Sequence, residues 1–467
     1  DAPPGVHLVH CFNADGASDP RWFSIGTLPE SSEVEPNDEI AKPQIIEKLP
    51  VCVNARLEKS GDVDGYAVKL EAGQTLVAAV EAYSIGSAVD MLAHVLDEKG
   101  TRLHTASDAR NLDPLLLFKA PKAGRYLVQV AGFAHPPAAD VRFTGGATLI
   151  YRLHLSASSV VTQVYPAAVA VAGKSEVELV GHNLDPKKLR HAFEVKDLRR
   201  EGDLALVTPP GAMFPIQVLA TTKPASLEKE PNNTKEQATP VAAGAVGGRI
   251  ADRTDVDRFA IPMKKGEKLQ ARLFAKRIGI PLDALLKVEG PDGKLISSAD
   301  DESEQRPDPN VTWTASVDGS HVLVVEDLFH QGGADKSYVL DIGAPLPSFD
   351  LTLADAKPVL LTPGKTASLK VNVKLQNGFK DPLIARVANL PPGVHAAEAA
   401  VPEKGGDVEV KLQAASNASV GGQAIRVEVW TKSEPFVAKS AAAGLRGENK
   451  RGSALLDDTT QVWLTVK

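Results

Sequence analysis

The oxygen-bearing side chains of one short stretch, Glu33-Val34-Glu35-Pro36-Asn37-Asp38, are spaced to meet at a point, and a further pair follows in Gly61-Asp62-Val63-Asp64-Gly65-Tyr66. Alternate side chains of an extended backbone share a face, so Glu33, Glu35 and Asn37 can converge, and Pro36 biases Glu35 towards that form. Carboxylate and amide oxygens gathered in this way suit calcium, a hard cation bound by oxygen ligands. The set occurs twice: Glu228-Lys229-Glu230-Pro231-Asn232-Asn233 is followed by Thr254-Asp255-Val256-Asp257-Arg258-Phe259. A solvated Asn-Asp bend after an acidic linker has the same composition, but its repetition favours a ligand set.

The elements that must position these residues repeat with them. Asp62, Gly73, Gly86, Asp90 and Gly100 recur as Asp255, Gly266, Gly279, Asp283 and Gly293, a constant interval of 193 residues. Matched glycines mark matched turns, so two units share one fold. A chain of 467 residues exceeds what a single core usually supports, and 43% hydrophobic content with 5% aromatic, 33 Pro and 37 Gly fits many short strands. The expectation is an all-β chain of tandem β-sandwich modules. The boundaries read as 1–28, the end of a small β module; 29–158, a first long sandwich; 159–224, a different small module; 225–345, the second long sandwich; and 346–467, an immunoglobulin-like sandwich. The Gly-rich, basic stretch from Gly444 to Gly452 reads as an exposed hairpin tip.

A net charge of −7 from mixed signs gives no reason to expect nucleic acid. The one basic cluster, Lys187, Lys188, Arg190, Lys196, Arg199 and Arg200, is interleaved with acids and lacks stacking aromatics, so it reads as a solvated face. No apolar run reaches the roughly 18 residues of a membrane span. Asp1-Ala2-Pro3-Pro4 carries no secretory leader, and the expectation is a processed or cut piece of something longer. Cys11 and Cys52 are either one bridge or two free thiols. His7 and His10 lie three apart on a strand and point to opposite faces, which excludes a metal site with Cys11. There is no Gly-x-Ser-x-Gly elbow, His-Glu-x-x-His motif or phosphate-cradling loop, and acid pairs such as Asp97-Glu98 and Asp300-Asp301 sit beside turns. No catalytic residue is expected.

The two long repeats resemble the pre-peptidase C-terminal domain family, β-sandwiches appended to secreted bacterial proteases and surface proteins. The residues that carry this are the Glu-x-Glu-Pro-Asn stretches, Asp62-Val63-Asp64-Gly65-Tyr66 with Asp255-Val256-Asp257-Arg258-Phe259, and Ala72-Gly73-Gln74. The resemblance covers roughly half the chain. Residues 160–222 resemble IPT/TIG immunoglobulin-like modules, and the C-terminal unit resembles bacterial immunoglobulin-like domains. Calcium-binding members such as the collagen-binding domains of bacterial collagenases imply ligands at Glu33, Glu35, Asn37, Asp38 and Asp64, and at Glu228, Glu230, Asn232, Asn233 and Asp257. Those members place a further aspartate where this chain has Gly61 and Thr254, which makes Asp62 and Asp255 shifted candidates. Asn233 stands in place of an acid, so the second site is expected to bind more weakly.

The resemblance implies a secreted or cell-surface bacterial protein, non-catalytic, with calcium stiffening its joints and a role in structure or adhesion. The alternative is an accessory module gripping polysaccharide or an extracellular matrix or surface protein. Collagen is not expected, because the strand from Tyr126 to Phe133 offers Ala131 and Phe133, and its copy Glu326 and Asp327, instead of a row of tyrosines.

Overall fold

The computed structural model describes residues 2–467 apart from 14, 19, 111, 138–141, 202, 303–306, 434–436 and 450–451; the side chains of 197, 199–201 and 445–457 also lie outside the description. The chain is all-β, a series of two-sheet sandwiches. Short runs rich in Val, Leu and Ile with period-two alternation account for the strands. In Thr366–Gln376, for example, Leu369, Val371 and Val373 point into a core while Ser368, Lys370 and Asn372 face water.

The first long sandwich packs two five-stranded sheets. One runs Arg102–Ala106, Val89–Leu96, Gly124–Ala134, Asp64–Leu70, Gln44–Ile45; the other runs Leu115–Lys119, Thr75–Glu81, Ile150–Ser156, Val51–Arg56, Glu30–Ser32. The second repeats this order strand for strand, with Leu295–Ala299, Ala284–Glu289, Gly319–Asp327, Asp257–Met263, Thr239–Pro240 facing Asn310–Thr314, Lys268–Phe274, Ser337–Gly343, Gly244–Arg249, Ser226–Leu227. In both copies each of the two short linker strands joins its sheet parallel to the second strand after it in the chain. The acidic stretch lies between those two linker strands, so it crosses from one sheet to the other over the end of the sandwich. The matched turns at Gly73 and Gly266 have φ of +78° and +83°, a left-handed backbone that disfavours any side chain with a Cβ.

Between the sandwiches, Val160–Tyr165, Lys174–His182 and Arg190–Glu194 face Ala168–Ala170, Ile216–Thr221, Leu204–Val207 and Arg199–Glu201 across a core of Val164, Val169, Val177, Phe193 and Val218. The C-terminal unit sets Ser348–Leu353, Thr366–Gln376, Gly406–Ala414 and Val394–Ala396 against a sheet centred on Gly421–Thr431. The hairpin of Ala443–Asn449 and Gly452–Thr459 carries the Gly-rich basic stretch, whose residues 450 and 451 lie outside the described ones. Of the basic cluster, Lys187, Lys188, Arg190 and Lys196 are exposed, and Lys196 pairs with Glu194 at 3.0 Å; the side chains of Arg199 and Arg200 lie outside the description.

At the N-terminus Gly5–Val9 pairs with Arg21–Ile25, and the buried Arg152 of the first sandwich ties this pair down through Ser24 while also holding Glu30 of its own sheet. The segment joining these strands meets the C-terminal unit, with the Trp463 ring tilted against those of His10 (4.8 Å) and Phe12 (5.0 Å) and Lys467 paired with Asp15 at 2.7 Å. Cys11 is exposed and Cys52 buried, and both thiols are free. Burial pushes the Cys52 thiol up to about 12, so it stays protonated.

Candidate metal centres

At the first centre the strand Asp64–Leu70 begins with Asp64 fully buried, and the tight turn before it buries Asp62. Oxygens of Glu35, Asp38, Asp62 and Asp64 lie within 4.8 Å of one another. Each of the four keeps one buried oxygen without a hydrogen-bond partner: Glu35 Oε1, Asp38 Oδ1, Asp62 Oδ1 and Asp64 Oδ1. Their other oxygens are used locally. Glu35 accepts from the Asn37 amide at 2.9 Å, Asp62 accepts from the Glu58 amide, Asp38 pairs with Lys59 at 2.8 Å, and Asp64 accepts from the Tyr151 hydroxyl.

Glu33 and Asn37 do a different job from the one that extended spacing suggests. Glu33 Oε1 accepts from the Tyr66 hydroxyl at 2.8 Å and from Asn37 Nδ2 at 3.3 Å, and its Oε2 accepts from the Arg56 amide at 3.0 Å. Asn37 Oδ1 accepts from the Gly65 amide at 3.2 Å. Both side chains are fully engaged in pinning the linker to the sandwich, and the free oxygens come from Glu35 and Asp38. The Glu35-Pro36 bond and its copy Glu230-Pro231 are both cis.

At the second centre the gathered carboxylates are Glu228, Glu230 and Asp257, again within 4.8 Å. Glu228 Oε2, Asp257 Oδ1 and both polar atoms of the fully buried Asn232 amide lack partners. Two of the candidates are not gathered: Asp255 accepts from the Ala251 amide at 2.6 Å, and Asn233 is exposed and accepts from the Val256 amide at 3.0 Å. One backbone donor thus holds one oxygen at each position, Asp255 Oδ2 and Asn233 Oδ1.

Burial dominates the electrostatics. It pushes the Asp64 carboxyl up to about 9 against the pull of the Tyr151 bond, with the charges of Glu33, Asp62 and Glu35 adding to the rise. Asp257 is pushed up to about 10 by burial and by Glu228 beside it, and burial pushes Glu228 up to about 7. Glu35, Asp62 and Glu230 are raised by burial too, while the Lys59 hydrogen bond lowers Asp38. Carboxylates crowded out of water must bind either protons or a cation. An all-oxygen set with unpartnered inward atoms fits a hard divalent cation, for which these acids and Asn232 would be the ligands.

A second repeated carboxylate was not singled out in the sequence. Asp113 and Asp308, both buried, accept the amides of residues 82–84 and 275–277 and so cap the 3₁₀ turns Tyr83–Ile85 and Lys276–Ile278. The signal in the sequence is a similar distance from the matched glycines, 27 residues after Gly86 and 29 after Gly279.

Comparison with known proteins gives a partial likeness. Over 131 residues, 27% of the chain, the sequence is 30% identical to a probable subtilase-type serine protease of Deinococcus radiodurans, and the match spans 18% of that protein's length. No family profile matches the chain. Similar solved structures include the pre-peptidase C-terminal domain of a Bacillus anthracis collagenase, 11% identical over 24% of this chain and 100% of that one, TM-score 0.19. The surface layer protein SbsC, domains 1–6, is 10% identical over 90% of this chain and 59% of that one, TM-score 0.16. At these scores the description of the fold rests on the chain's own sheets.

Proposed function

We propose that this is a secreted or cell-surface, non-catalytic modular β protein of the pre-peptidase C-terminal type, in which calcium at two matched centres locks each acidic linker onto its sandwich. Its role on this reading is structural or adhesive. The observation that carries it is the set of unpartnered buried oxygens on Asp64 and Asp257, at the same step of the same strand in both copies. An ion held by linker and sandwich together binds the docked linker alone, so it stabilises that state by RT ln(1 + [L]/Kd) and stiffens the joint. Titration of metal-free protein with calcium in a calorimeter tests this: two binding steps and a raised unfolding temperature are expected, and no uptake of calcium refutes it.

The alternative, a module that grips polysaccharide or matrix protein, has Phe329 in its favour. This ring is 67% exposed on a loop whose backbone is held by the buried Asp327. Trp313 is not available to such a ligand, since it is 3% exposed in the second core. A glycan array hit abolished by Phe329→Ala would favour this role.

A further inference from the structure

Tyr66 and Phe259 are equivalent residues, each two steps after the buried aspartate of its centre, so the second sandwich lacks the hydroxyl that Tyr66 gives to Glu33. The hydroxyl is nevertheless present. It comes from Tyr165, at the end of Val160–Tyr165 in the preceding module, whose oxygen lies 3.3 Å from Glu228 Oε1 and 3.3 Å from the Gly247 carbonyl. Both partners are acceptors and the hydroxyl has one proton, so Glu228 and the backbone compete for it.

The surroundings fix Tyr165 in place. Arg249 lies over its ring at 4.2 Å and reaches Glu178 of the same preceding module at 3.7 Å, while the Arg249 amide donates to Glu228 Oε1 at 2.8 Å. Its counterpart Arg56 instead pairs with Glu58 in solvent. Pro166 presses on the strand so closely that a Cβ at Gly247 would sit 2.6 Å from it, and Ala167, Ala168 and Leu219 belong to the core of the second sandwich. Asn54 fills the place of Gly247 in the first copy, with its side chain bonded to Glu30 and Arg152.

We propose that the second centre is a two-module site: Tyr165 is a positioning residue that holds Glu228 for the cation, so that cation binding and docking of the 159–224 module strengthen each other, whereas the first centre is self-contained. This rests on the reading of the centres as calcium sites. Coupling of this kind is reciprocal, so calcium tightens the junction by the factor by which the junction tightens calcium.

The test uses the full chain carrying Asp64→Asn, which silences the first centre, titrated calorimetrically with calcium chloride with and without Tyr165→Phe. Loss of an outer partner of a ligand costs roughly tenfold or more in affinity, and that loss is expected here. In chains carrying Asp257→Asn instead, Tyr165→Phe is expected to leave the first centre's affinity unchanged. Hydrogen exchange adds a readout of docking: calcium should slow exchange of amides 163–169 when Tyr165 is present and not in Tyr165→Phe. Calcium bound equally well by both chains, or exchange at the junction indifferent to calcium, overturns the proposal alone. Absence of calcium binding at the second centre with Tyr165 intact overturns the calcium reading, and this proposal with it.

Discussion

Tyr66 and Phe259 occupy one position in two copies of one sandwich, and the single oxygen between them separates two ways of building the same centre. At the first, four carboxylates meet, and the hydroxyls of Tyr66 and Tyr151, 2.7 Å apart, come from the sandwich itself. At the second, three carboxylates meet; Tyr338 repeats Tyr151 by donating to Asp257 at 2.6 Å, and the missing hydroxyl is supplied across a module boundary. The difference teaches that a duplicated site can keep its geometry while changing which part of the chain maintains it.

Calcium removal should break both centres and have the largest effect. With calcium at about a thousand times its Kd, each occupied site adds about 4 kcal/mol to stability, so chelator should lower the unfolding temperature in calorimetric scans. Asp64→Ala and Asp257→Ala should each abolish one binding step and leave the other, measured as stoichiometry in titration. If either substitution removed both steps, the centres would not be separate.

Gly247→Ala sharpens the contrast at the junctions. Its Cβ would collide with Pro166, and overpacking of this sort costs about 1–3 kcal/mol, read from chemical denaturation of the full chain. Asn54→Ala, at the matching place of the first copy, meets no such collision.

The titration of the two centres gives a third measurement. A carboxyl whose folded value is raised keeps its proton in the folded state where the unfolded chain has lost it. Without metal, stability should therefore fall as pH rises from 3.8 towards about 9 at Asp64, and from 3.8 towards about 10 at Asp257. Calcium needs the ionised forms, so its binding should release protons and tighten across the same windows. Calorimetry at pH 7 in buffers of different ionisation heat detects this, and identical heats in all buffers would contradict it. The smallest effect is expected from Asn233→Asp: the side chain is turned to the Val256 amide, so the added charge should change calcium affinity at the second centre by less than about threefold, whereas Asp38→Asn should weaken the first.

The all-β class and the duplication were legible because both depend on local patterns, alternation along strands and glycines at turns. The acids of the centres were legible as residue types. Which of them keep a free oxygen was not, because that depends on backbone amides brought from afar: Arg56 lies 23 residues from Glu33, and Gly65 lies 28 from Asn37. Asn233 and Asp255 match Asp38 and Asp62 by position, yet Asn233 turns its oxygen to the Val256 amide and Asp255 is not gathered with Glu228, Glu230 and Asp257. Tyr165 was out of reach for the same reason, lying 63 residues from Glu228 in another module.

The press of Pro166 against Gly247 also bears on how such a chain can be cut and recombined. If the centres hold calcium as proposed, a first sandwich that supplies its own hydroxyls should keep its ion when transplanted alone onto another protein. On the same proposal the second needs its neighbour attached, so the smallest transferable piece containing it would run from about residue 159 to 345, and a library of shuffled modules that splits the pair should weaken binding of the second ion and spare the first.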